Sequence, residues 1–76
     1  MPRYFFHIVD DETRSLDEEG LEFPDLMAAT KEAEASAHEL MVQDLKAGRE
    51  LDDRRIEITD AAGTVVGVCR LRDLAN

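Results

Sequence analysis

Along the chain the hydrophobic positions recur first at a spacing of two, then at the roughly 3.6 of a helix, then at two again. Tyr4-Phe5-Phe6-His7-Ile8-Val9 is rich in aromatic and β-branched residues and stops at the polar cluster Asp10-Asp11-Glu12, which predicts a strand. A shorter strand is expected near Gly20-Leu21-Glu22-Phe23, closing a hairpin over the acidic loop and ended by Pro24, which removes a backbone donor. Asp25 is suited to cap a helix, and Leu26 to about Ala47 is built of good helix formers, with Gly48 where the chain leaves in left-handed geometry. Leu26, Thr30, Ala33, Ala37, Leu40, Met41 and, at its margin, Leu45 share one face of that helix, whereas Lys31, Glu32, Glu39 and Lys46 look outward. After a polar link, Arg49 to Arg54, the alternation Arg55-Ile56-Glu57-Ile58-Thr59 predicts a half-buried strand. Asp60-Ala61-Ala62-Gly63 is a turn signal, and Thr64 to Leu71 returns as the partner strand. The fold expected is α+β, ββαββ, an antiparallel sheet of two hairpins with one long helix packed on one face and the strand order left open.

One helix covers one face of a sheet, and the strands carry more apolar residues than one face takes. If Tyr4, Phe6 and Ile8 face the helix with Ile56, Ile58, Val65, Cys69 and Leu71, alternation sends Phe5, His7, Val9, Val66 and Val68 to the other face. Those five residues form the expected interface, because a contiguous exposed apolar patch commonly marks an association surface. Asp44 falls in the middle of the helix's apolar face. A buried carboxylate needs a partner, such as Arg54 or Arg55, unless the helix has already run past the sheet edge. The second explanation is the expectation here.

Seventy-six residues allow a single domain, 1–76, with a minimal core. The net charge of −9 is unevenly spread. Residues 10–25 hold eight acids (Asp10, Asp11, Glu12, Asp17, Glu18, Glu19, Glu22, Asp25) against Arg14 alone. From Lys46 onward six acids (Glu50, Asp52, Asp53, Glu57, Asp60, Asp73) meet six bases (Lys46, Arg49, Arg54, Arg55, Arg70, Arg72). Such a balance argues against nucleic acid as the main ligand and is easier to reconcile with a basic partner. The amino-terminal apolar run is too short for a signal peptide, no stretch would span a membrane, and one cysteine makes no internal disulfide, so a cytoplasmic location is expected.

Three segments, Pro2-Arg3-Tyr4-Phe5-Phe6-His7, Asp17-Glu18-Glu19-Gly20 leading to Pro24-Asp25-Leu26, and Arg54-Arg55-Ile56-Glu57-Ile58-Thr59-Asp60 with Gly63, resemble a family of short bacterial domains of unknown function. That resemblance covers nearly the whole chain and implies no activity, cofactor or catalytic residue. A looser similarity, from Gly20 through Phe23-Pro24-Asp25-Leu26, is to the HicB-like antitoxin fold, whose members neutralise a basic RNA-cleaving partner. Here the helix opens directly after Pro24-Asp25, and no DNA-binding extension precedes Asn76.

Candidate chemistry is sparse. His7, His38 and Cys69 lack the paired spacings of metal sites. The acidic loop fails the calcium-loop pattern, since Arg14 and Leu16 fall at ligand positions counted from Asp10. Cys69 is read as a small core hydrophobe, and Ser15 and Ser36 lack a nucleophile context. No cofactor is implied. The function expected is a non-enzymatic interaction module that self-associates, as a homodimer, or binds a protein partner through the open sheet face. The alternatives are an antitoxin-like regulator of a basic nuclease and a small enzyme with its site at a dimer seam.

Overall fold

Alternation from Arg3 onward produces strand β1, Arg3–Val9, in a computed structural model that describes residues 1–49 and 53–74. Residues 50–52 of the expected polar link lie outside the described residues. Two short strands follow, β2 at Arg14–Ser15 and β3 at Leu21–Glu22. Helix α1 runs Leu26–Lys46, β4 Arg55–Thr59, β5 Val65–Arg70, and a single turn of helix, α2, Leu71–Leu74. All pairings are antiparallel, in the order β2-β1-β4-β5, with β3 also on β1. The expected α+β fold with one long helix is therefore present, and the two hairpins join through β1 and β4. Neither β2 nor α2 was foreseen.

The ends of α1 follow from its caps. The Asp25 carboxylate accepts the Ala28 amide at 2.9 Å. At the other end Gly48 adopts φ +75°, and the Arg49 amide donates to the Asp44 carbonyl at 2.8 Å. Between them Ala29, Ala33 and Ala37, spaced one turn apart, are fully buried, followed by Met41. A row of methyl groups lets the helix lie close over β4 and β5, where Ile56, Ile58 and Leu71 fill the space beneath it. Leu26 and Leu45, expected on this face, lie beside the row and are 37% and 56% exposed. Tyr4, Phe6 and Ile8 of β1 border the same core. Phe23 packs edge-on against Phe6 with ring centres 5.9 Å apart.

A bulge corrects the expected facing of β5. Ile58 pairs with Gly67 but Thr59 pairs with Val65, so Val66 is the extra residue. One inserted residue inverts the alternation. Val66 therefore packs against the helix-side core rather than on the open face, and Val65, expected inward, is exposed.

Asp44 also departs from expectation. It is 3% exposed, so the helix has not run past the sheet. Arg54 Nη1 donates to both carboxylate oxygens at 2.6 Å, and Arg49 lies 3.7 Å away. The Arg54 carbonyl in turn accepts the Leu71 amide at 3.1 Å, so this pair ties the end of α1 to the start of β4 and of α2. Removing Arg54 leaves the buried carboxylate with only the 3.7 Å contact to exposed Arg49. Arg54→Ala is expected to lower stability by about 3–5 kcal/mol in urea titrations, and Arg55→Ala by much less.

Candidate functional site

The face of the sheet away from α1 carries Phe5, His7 and Val9 from β1, Arg55, Glu57 and Thr59 from β4, and Val65, Val68 and Arg70 from β5. Its β1 third is covered by the loop between β2 and β3. Both short strands pair with β1, but the register shifts between them, and residues 16–20 arch out of the ladder. The Phe6 amide would then lack an acceptor. Asp17 supplies it, because Oδ2 accepts Phe6 N–H at 3.1 Å while Oδ1 accepts the amides of Glu19 and Gly20, each at 3.1 Å. Burial pushes the Asp17 carboxyl up, but the amides of Gly20, Phe6 and Glu19 more than reverse this and hold it below its ordinary value of 3.8.

His7 completes the clasp. Its Nδ1 lies 3.0 Å from the Asp17 amide, which can only donate. Nδ1 is therefore the unprotonated nitrogen, and Nε2–H donates to Thr59 Oγ1 at 3.0 Å. Gly20 then closes over Phe5. At φ +68° a Cβ there would lie 2.7 Å from the Tyr4 carbonyl oxygen and 2.9 Å from the Phe5 ring, so only glycine fits.

The five residues of the expected interface are thus divided. Phe5 is half-buried under Gly20, His7 is half-buried in the clasp, and Val9 is 3% exposed. Val66 belongs to the opposite face, and Val68 is 51% exposed. Beside Val9 an open cleft of about 400 Å³ is lined by Asp10 to Arg14 and Arg55. Glu57 on that side is shared between Arg14 and Arg55, each at 3.5 Å. The open face that remains is the β5 side, where Val65 and Val68 are each 51% exposed beside exposed Arg70.

The other candidate residues stay apart. His38 is exposed on α1. Cys69 is half-buried against the core, and burial first, then the charges of Glu34 and Asp73, pushes its thiol up, which disfavours the nucleophilic thiolate. In the acidic loop Asp10 Oδ1 is occupied by the Glu12 and Thr13 amides at 2.8 and 2.7 Å. A hydrogen bond with Asp53, and that residue's charge, raise the Asp11 carboxyl. Among the described residues no three His, Cys, Asp or Glu side chains are grouped to hold a metal, and no helix is long and apolar enough to cross a membrane. The Asp17 clasp was missed in the sequence. Its signal was Asp17-Glu18-Glu19-Gly20, in which a carboxylate can turn back onto the amides two and three residues ahead.

Sheet, single long helix and clasped loop together define a small two-layer α+β protein with one partly uncovered sheet face. The chain belongs to the family described as a domain of unknown function, DUF6894, which matches residues 3–72. This agrees with the expected membership of a family of short domains of unknown function, and it lends nothing to the looser likeness to the HicB-like antitoxin fold. No curated protein and no solved structure matches the chain.

Substitutions at Asp17 and Gly20 test the clasp. Asp17→Asn presents an amide donor where one carboxylate oxygen accepted, and is expected to cost about 1–3 kcal/mol at neutral pH. A lowered folded-state carboxyl contributes stability that is in place above its ordinary 3.8 and is lost as pH falls through the lower folded value, so urea titrations across that acid range should show a steeper decline for the parent than for the variant. Gly20→Ala is expected to melt lower than the parent by more than Gly48→Ala does, because an added Cβ at Gly48 meets nothing within 4 Å.

Proposed function

We propose that the protein is a non-enzymatic protein-binding module whose contact surface is the β5 side of the sheet. The observation that carries this reading is the pair Val65 and Val68, each 51% exposed on a face that neither α1 nor the clasped loop covers. An apolar strip kept open on a small acidic chain is a costly arrangement for a surface with no occupant. Location supports the reading as well. The acid-rich residues 10–25 follow β1 and belong to the β2 and β3 edge, whereas the residues 53–74 balance four acids (Asp53, Glu57, Asp60, Asp73) with four bases (Arg54, Arg55, Arg70, Arg72). A partner approaching β5 meets little net charge.

The test is a photo-crosslinking amino acid placed at position 68 and, as control, at exposed position 38 on α1. A discrete adduct in cells from position 68 and none from position 38 is the expected result. Absence of any adduct at position 68, with the chain still folded, would overturn the reading.

A further inference from the structure

Among the described residues the open face ends at a strand paired on one side alone. In the order β2-β1-β4-β5 the outer side of β5 pairs with nothing among the described residues. Its register shows which peptide groups point there. The Leu71 amide donates to the Arg54 carbonyl at 3.1 Å, which makes that pair a hydrogen-bonded one. Antiparallel ladders alternate bonded and non-bonded pairs. Along this register Cys69 with Ile56, and Gly67 with Ile58, are therefore bonded, while Arg70 with Arg55 and Val68 with Glu57 are not. The N–H and C=O groups of Val68 and Arg70 accordingly face away from β4. The opposite ladder agrees, since the Phe6 amide leaves β1 on the side away from β4 to reach Asp17.

Val68 thus combines two features: its side chain is exposed on the open face, and its peptide groups point out of the sheet edge. The bulge at Val66 and the charge of Arg70 bound the open stretch of this edge. Between them, from Gly67 to Cys69, the strand carries no charge and no proline and keeps regular register with β4.

We infer that β5 pairs antiparallel with β5 of a second copy about a two-fold axis that passes between the two Val68 residues, joining the two sheets into one. The inference rests on the reading of the β5 side as a contact surface and names its occupant. A strand related to itself by a two-fold axis normal to the sheet is antiparallel by symmetry, and an outward residue facing its own mate across the axis exchanges both backbone bonds with it. The two Val68 side chains then lie side by side on the open face, and both copies of α1 fall on the other face. Charge favours a second copy at this edge over the opposite one. The excess acid follows β1 on the far side of the sheet, so pairing through β5 holds the two acidic loops at the outer ends of the joined sheet.

Light scattering across a wide concentration range, together with amide hydrogen exchange on the same samples, tests this. Twice the 8.6 kDa of one chain is expected at high concentration, with exchange at Val68 slowing about tenfold or more as dimer forms. Val68→Pro removes an outward donor and no ladder bond to β4, so it is expected to keep the parent's circular dichroism and remain a monomer. Val68→Thr keeps the backbone and the β-branched shape and is expected to dimerise. A monomer at every concentration would overturn the inference, and if position 68 still crosslinked to a different protein the module reading would stand without it. A dimer whose Val68 amide exchanges as fast as in the monomer would equally overturn it, in favour of face-to-face packing. So would a folded Val68→Pro variant that still dimerises.

Discussion

A sheet edge tolerates an interruption only if every amide left facing inward finds an acceptor. The middle of β1 meets that condition through one side chain. Between β2 and β3 the chain leaves the ladder, and the Asp17 carboxylate takes the place of the missing carbonyl for Phe6 while folding its own loop back through the amides of Glu19 and Gly20. The covering of Phe5, the tautomer of His7 and the buried hydroxyl of Thr59 all follow from that substitution. What was apolar excess on one face becomes, on the β1 side, a polar clasp over a half-buried ring.

The same economy governs the other face. Asp44 is a charge in the row that otherwise holds three alanines and a methionine, and it survives there because Arg54 reaches both its oxygens. The pair is local in effect, fixing how α1 hands over to β4. It also places Leu71, fully buried, where it closes the end of the core.

Helix α1 and the strands β1, β4 and β5 were legible because each rests on neighbours in sequence: alternation in Tyr4 to Val9 and Arg55 to Thr59, a cap at Asp25, a left-handed Gly48. What escaped depends on residues far apart. The bulge that turns Val66 inward is a property of two strands together, since β5 read alone alternates regularly. Val9 belonged to the open face by parity, and its burial beside the turn from Asp10 to Arg14 is set by how that turn folds back along β1. Of the interface expected from parity, Val68 keeps its exposure, and Val65 joins it through the bulge. The strand order, on which the unpaired edge of β5 depends, carried no signal in the sequence.

The alanine row under α1 has a consequence beyond geometry. Among the eight buried apolar residues described, three are alanines, which contribute little apolar area, so the free energy separating folded from unfolded chains is small for reasons built into the helix contact. Substituting larger side chains there would lift the helix instead of enlarging the core. A chain with so narrow a margin gains proportionately more from anything that binds only its folded form. With such a binder at hand, the chain's persistence in a cell would follow the binder's supply, and proteolysis would clear whatever is left over.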